Sequence, residues 1–429
     1  MTILFYLFWF FKQFYFFSSG SLQVGDGFLV LSAVLLLMSR DGRVKLMHCD
    51  KWLVLFLAML LFVDVNYAVY FGRMDFVKSA LFYLYNVLCV CILRGIGERG
   101  RRGLLQVFRC NILVQMGIYL LDMGRWHPEM RYMGTYNDPN QFGYAIFTSY
   151  CMVYCLSIKE RKWTDWFCFL SALFLIYKSY SVAVLVAIVL LVVLEQYFLL
   201  RNGRSGNRRF YAVYLAAITS MGAALVCWMI AAVASPQMAM QNKMIERLQG
   251  KLQGDGSLLR SFLWDRNMLA VLDAPSYFLY GSGEGYTERF QNIGNSVLNG
   301  GEFHSVWVAV AYYYGIVGLI ILCIWIYLNI KHADRRLIPM YIALFVAGLF
   351  LATQRQPVFW SLIAMGYYVG HGSRKGKVQC SQNDVENSTE GQRGHRNDRA
   401  REKDVGEGSR AFQGAGMGKK RDGVLRCLS

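Results

Sequence analysis

A chain that repeats uncharged apolar runs of bilayer length has few folds open to it. Inside hydrocarbon every backbone N–H and C=O must be satisfied within the segment, so each such run has to be a helix. Runs of this kind are read near 3–18, 24–39, 52–71, 75–94, 103–122, 140–158, 164–178, 181–200, 211–234, 304–330, 337–353 and 357–371. A helix needs ~20 residues to cross ~30 Å of hydrocarbon, so they predict an all-α, polytopic membrane protein of about twelve transmembrane helices. Hydrophobic residues make up 55% of the 429 and charged residues only 17%, a balance that excludes an ordinary soluble domain.

The basic residues test that map. Arg40, Arg43, Lys45 and Lys51, then Arg94, Arg99, Arg101 and Arg102, then Lys159, Arg161 and Lys162 occupy alternate loops. Arg201, Arg204, Arg208 and Arg209, then Lys331, Arg335 and Arg336 continue the series. The short loops between them and their edges carry only Arg73, Lys78, Arg125, Arg131, Lys178 and Arg355. This positive-inside pattern predicts both termini in the cytoplasm. It also accounts for much of the +17 net charge, so nucleic acid is not an expected partner. The first run lacks a basic n-region and a small-residue cleavage site, and reads as a retained span.

Residues 1–371 are therefore expected to form a transmembrane domain, and 372–429, rich in Gly, Ser, Asn, Gln and mixed charge, a disordered cytoplasmic tail that can meet partner proteins or anionic lipid. The cysteines fall in spans or on the inner side with no CxxC pair; they read as small core residues, and neither a zinc nor a disulfide framework is expected.

Two outer segments stand apart, 123–139 and 235–303, the latter a large external loop between spans 9 and 10 that is expected to cap an active site. In the second, Met244, Ile245, Leu248 and Leu252 recur at helical spacing, and Asp255-Gly256-Ser257 precedes a second short helix from about Leu258 to Leu272. Gly281-Ser282-Gly283-Glu284-Gly285 reads as a flexible turn. Arg131, Arg260, Arg266 and Arg289 lie on the side where positive charge is otherwise sparse, and guanidinium groups grip phosphate oxygens bidentately. Arg266 and Arg289 are equally readable as solvated loop charges; for Arg131 and Arg260, each beside a helix start or a membrane re-entry, that is the weaker reading. His304, at the mouth of the apolar segment 306–328, has the titration range of a general base, with Glu302 to orient it or act in its place. The plain alternative is an interfacial histidine, and His127 is a weaker candidate for the same task. Asp138-Pro139-Asn140 reads as a turn into a helix, capped by Asp138 or Asn140, at a helix start that also attracts anions. Lys12, Asp64, Asn66, Asn86 and Gln115 within the spans are open to two readings, a hydrophilic path or hydrogen bonds between helices.

At these residues the chain resembles the O-antigen ligase and polymerase family of bacterial envelope glycosyltransferases. The family's arginine, glycine and Pro-Asn entering a span look like Arg131, Gly134 and Pro139-Asn140; its large-loop arginine, proline and Gly-x-Gly turn look like Arg260, Pro275 and Gly281-Ser282-Gly283. Its closing histidine and Gly-x-x-Gly look like His304-Ser305 and Gly315-Ile316-Val317-Gly318. The resemblance implies a GT-C-like membrane enzyme performing metal-independent, inverting glycosyl transfer, without a cofactor, at the outer face of the bacterial inner membrane. Donor and acceptor would be polyprenyl-diphosphate-linked glycans, with a flippase and a chain-length regulator as protein partners. Arg260, His304 and Glu302 would be catalytic, and Arg131, Asn140, Gly283, Arg289 and Lys178 would bind substrate. Where ligases of the family carry a Ser-Arg-Gly-like step, this chain has Ser181-Val182-Ala183 with Lys178 close by. That departure favours polymerase over ligase; a lipid-linked oligosaccharide transporter is the reading from another class.

Overall fold

The computed structural model describes residues 1–17, 23–38, 46–202, 274–286, 289 and 303–369. Helices α1 (Thr2–Phe11), α2 (Val24–Met38), α3 (Asp50–Phe71), α4 (Asp75–Ile96) and α5 (Arg101–Leu120) come first, and α6 (Pro139–Ser157), α7 (Trp163–Ser179) and α8 (Val182–Asn202) follow. After the one-turn helix Tyr277–Tyr280 come α9 (Val306–Lys331), α10 (Ile338–Phe350) and α11 (Pro357–Val369). Helices thus stand at every expected span position except 211–234, which lies outside the described residues. Among the described residues four stretches are long and apolar enough to cross a membrane: Asp50–Phe71, Asp75–Leu120, Val182–Leu199 and Val306–Lys331. The second of these is two helices, because the chain turns at Gly97 (φ +59°) and the Gly97–Gly100 3-10 turn before α5 begins. The others are shorter or less apolar, which narrows the expected count of twelve.

Successive helices run up and down. At one end Tyr6 reaches the Gly100 carbonyl, Arg101 the Leu156 carbonyl, and Tyr154 and Arg336 tie the end of α6 to the turn before α10. Arg101, Arg161 and Arg336, from three of the basic loops, meet at this end. At the other end Thr135 bonds the Gln13 carbonyl, Asn86 the Gln354 carbonyl, and Arg131 the Ser179 carbonyl. Large apolar side chains on the flanks, among them Leu37, Phe62, Val69 and Leu170, stay exposed, as expected of helices that face lipid rather than water.

The expected all-α architecture needs one amendment. Arg125–Trp126 and Tyr132–Gly134 form a two-stranded antiparallel ribbon between α5 and α6. Its Tyr132 is buried edge-on against Tyr119 and Phe142, which fixes the ribbon to the bundle. The ribbon delivers the chain to α6, whose start follows from Asp138: extended backbone, a carboxylate accepting from the Asn140 and Gln141 amides, and proline at the first turn. Asp138, not Asn140, is the cap.

Inside the bundle, ionisable groups are neutralised by close partners. Lys12 pairs with Asp26 at 2.8 Å, Arg109 donates to Asp165 at 2.8 Å, and Arg94 grips both oxygens of Asp50 at 3.0 Å. Asn329 and the Ala364 carbonyl complete the Arg94 donors. Of the two readings left open for the polar residues within the helices, hydrogen bonding is the one observed: Asn86 to Gln354, Gln115 to Gln13 and Thr135, Asn66 to its own helix at Phe62. The expectation of core cysteines holds for Cys49, Cys89, Cys151, Cys155 and Cys168 but not for Cys110 and Cys323, which are exposed.

Asp50→Ala leaves the buried Arg94 charge uncompensated and should cost about 3–5 kcal/mol. Asp75→Ala, which breaks only the exposed pair with Arg73, should cost less than about 1 kcal/mol. Thermal melting of the detergent-solubilised variants distinguishes the two.

Candidate functional site

Two groups of side chains gather at the end of the bundle opposite the basic loops. The first is built by the ribbon. Arg131 is only 4% exposed; its Nε donates to the Ser179 carbonyl at 3.0 Å and its Nη2 to Asn140 Oδ1 at 2.8 Å. The guanidinium thereby clamps the end of α7 to the first turn of α6, a fixed positive charge at a helix N-terminus. Arg131 and Asn140, both candidates from sequence, are brought together. Lys178 is on the last turn of α7, its ammonium 5.5 Å from the Phe174 ring centre and 5.9 Å from that of Tyr119. His127 serves the ribbon's own turn, where its Nδ1 accepts from the Glu129 amide.

The second group is built by Gly281-Ser282-Gly283-Glu284-Gly285. Far from being a flexible turn, these residues are buried and bonded along their length. The cause lies in α9, which breaks at Gly315 (φ +71°, ψ 173°). A side chain there would meet the Leu279 carbonyl oxygen at 2.6 Å, so only glycine lets the two segments approach. Beside this break the carbonyls of Tyr312 and Tyr313 accept from the Ser282 and Gly283 amides at 3.0 and 2.8 Å. The segment therefore lies along α9 like a short strand. Gly283 (φ +68°) has a second constraint, since a Cβ would sit 2.8 Å from the Tyr67 ring.

Glu284 follows, 1% exposed, and it is the hub of the group. Its Oε1 accepts from Arg355 Nε at 2.7 Å, and its Oε2 from the hydroxyls of Tyr83 at 2.7 Å and Tyr314 at 3.1 Å. Its amide donates to Asp64 Oδ1 at 2.8 Å, and Tyr314 also donates to Asp64 Oδ2 at 3.1 Å. Arg289 closes the group from above. Its Nη2 donates to the Ser282 and Gly283 carbonyls, and the guanidinium lies 5.1–5.4 Å from the ring centres of Tyr67, Phe71 and Phe76. Burial lowers its pKa from the ordinary arginine value, and Tyr277 and Tyr67 offset part of that shift. Gly283 and Arg289 are thus also brought together.

His304 is half-buried beside Ser305, the N-cap residue of α9. The preceding Phe303 is buried against Tyr312 and Tyr313, which holds this entry point next to the second group. Arg260, Arg266, Glu302 and the expected loop helices near 244–272 lie outside the described residues. Asp64, Tyr83, Glu284, Tyr314 and Arg355 were not expected in a site. A carboxylate in an apolar run and a lone arginine between the last two runs were the available signals. Among the described residues, no three His, Cys, Asp or Glu side chains come together as a metal site.

The loop between α10 and α11 reaches the second group, with the Gln354 carbonyl bonded to Asn86 and Arg355 to Glu284, and its Gln356 lines a cavity of about 50 Å³ with Lys12, Gln13, Asn111, Gln141 and Tyr144. No family model matches this chain, and no match to a curated protein was found.

Glu284→Ala removes the buried carboxylate that meets Arg355 and the Tyr83 hydroxyl, while Tyr314 keeps Asp64. Because Arg355 is 30% exposed, the expected cost is about 3 kcal/mol rather than more, roughly a hundredfold in the opening of this segment. A Ser282→Cys reporter, buried in the intact protein, should then react with a polar maleimide well above the background of native thiols. Unchanged labelling would show that the carboxylate does not hold the segment down.

Proposed function

We propose that this chain is a membrane glycosyltransferase of the polysaccharide-polymerase type. It joins polyprenyl-diphosphate-linked repeat units into O-antigen, capsular or exopolysaccharide at the outer face of the bacterial inner membrane, with about twelve spans and both termini cytoplasmic. The observation that carries the reading is that Arg131 meets Asn140 at the start of α6, and that Arg289 meets Gly283 beside α9, whose first turn follows His304.

In this reading the acceptor hydroxyl attacks the anomeric carbon of the donor while the bond to the diphosphate oxygen breaks, with inversion. His304, oriented by Glu302, takes the hydroxyl proton, and the polyprenyl diphosphate leaves as an anion. Arg260 and Arg289 neutralise the charge that builds on it, with Arg131 as a fixed charge and Lys178 as a further cation. Transfer to lipid A-core by the same chemistry is the ligase alternative.

One observation favours a transporter of the same lipid-linked sugars as a second reading. The Asp64, Glu284 and Arg355 group and the Lys12–Asp26 pair set ionisable side chains inside the bundle rather than only in its loops. Purified protein given lipid-diphosphate-linked repeat units alone should produce a ladder of polymers. A requirement for lipid A-core would instead indicate the ligase, and no transfer to either acceptor the transporter. His304→Ala should lower the polymerase rate about 10²–10⁴-fold and Arg260→Ala about 10²–10³-fold. Wild-type ladders from both variants, expressed normally, would sink the proposed site.

A further inference from the structure

Two adjoining cavities lie at the basic end of the bundle, away from the groups described above. The larger, about 260 Å³, is bounded by Ile158, Arg161, Phe198, Leu199, Arg336 and Pro339. The smaller, about 120 Å³, includes Ser157, Asp165, Trp166 and Gln196, and the two share Tyr154, Arg161 and Glu195. Both exceed many times over the ~10–15 Å³ that one water needs on the same measure.

Their walls differ in chemistry. In the larger cavity Ile158, Phe198, Leu199 and Pro339 offer an apolar wall, and the guanidinium groups of Arg161 and Arg336 both reach it. Arg161 pairs with Glu195 at 2.5 Å, while Arg336 reaches Asp334 at 2.8 Å and the Ile158 carbonyl at 3.2 Å. In the smaller cavity Asp165 is already matched by Arg109 at 2.8 Å. The Ser157 hydroxyl, 2% exposed, has no hydrogen-bond partner, an arrangement that calls for a bound donor or acceptor. Trp163 and Trp166, exposed on the first turn of α7, mark this level as the headgroup boundary, where tryptophan prefers to lie.

We propose that these cavities form a binding site for an anionic phospholipid with a polyol headgroup. The phosphate lies between Arg161 and Arg336, an acyl chain follows Phe198 and Leu199, and the headgroup hydroxyls enter the smaller cavity to meet Ser157, Glu195 and Gln196. Basic pockets between helices at the inner boundary recognise anionic headgroups in this way. The site is independent of the chemistry at the opposite end, and holds whether the chain transfers sugars or moves them.

The test is native mass spectrometry of the full chain released from detergent with phosphatidylglycerol or phosphatidylcholine of the same acyl chains. Phosphatidylglycerol should be retained about tenfold over phosphatidylcholine: both carry the phosphate, but only the glycerol headgroup brings hydroxyls to Ser157 and Glu195, and only choline sets a cation against Arg161 and Arg336. Arg161→Gln should remove that preference. Leu199→Trp, which fills the apolar wall and leaves both arginines in place, should lower retention by a similar factor and decides the matter if Arg161→Gln fails to fold. Equal retention of the two lipids, or wild-type retention by either folded variant, overturns the proposal. Displacement of phosphatidylglycerol by inorganic phosphate alone would also overturn it, since the site would then be one for a free anion.

Discussion

The break of α9 at Gly315 is the constraint on which this end of the structure depends. A helix interrupted inside an apolar bundle releases backbone carbonyls that water cannot reach, and the cost of leaving them bare is several kcal/mol each. The amides of Ser282 and Gly283 meet two of them, which pins an otherwise glycine-rich segment to the bundle. Everything in the second group follows from that seat. Glu284 is carried under Tyr83 and Tyr314, and Arg289 is set over the carbonyls it caps. Irregular backbone at such depth is tolerated where protein covers it, and the aromatic rings of Tyr67, Phe71 and Phe76 supply the cover.

The buried charges have a different task. Replacing a buried ion pair with apolar residues often leaves stability unchanged or higher, so Arg94–Asp50, Arg109–Asp165 and Lys12–Asp26 are not best understood as sources of stability. Each ties two segments together at one place, Arg94–Asp50 joining α4 to α3, Arg109–Asp165 joining α5 to α7, and Lys12–Asp26 joining the end of α1 to α2. A helix such as α9, apolar all round, has little in its surface to fix rotation; Asn329, bonded to Arg94, gives it one orientation. Polar knots at both ends set the register of a bundle whose packing alone would permit several.

The helices were legible because bilayer-length apolar runs permit one backbone solution. The Arg131–Asn140 clamp was partly legible, since Asp138-Pro139 announces a helix start and places Asn140 in its first turn. The ribbon was not, because Arg125–Trp126 and Tyr132–Gly134 are too short to show a period of two. Nor was the Glu284 hub. A Gly-x-Gly-x-Gly stretch reads as loose from local propensity, and its order comes from a helix break some thirty residues later that sequence marks only as one glycine among many. Asp64 was visible as a carboxylate in an apolar run, but its partner lies 220 residues away.

That separation has a consequence for biogenesis. Asp64 enters the bilayer in α3 long before Glu284 has been made, and at roughly 5–20 residues per second the ribosome needs about 10–40 s to supply its partner segment. Through that interval the carboxylate has neither the Glu284 amide nor the Tyr314 hydroxyl. A carboxyl group without partners is the costliest part of α3 to set among apolar surroundings, and the Asp64 knot is tied last. The early helices therefore wait, incompletely packed, for a late part of the same chain, and the order of translation becomes part of the folding mechanism.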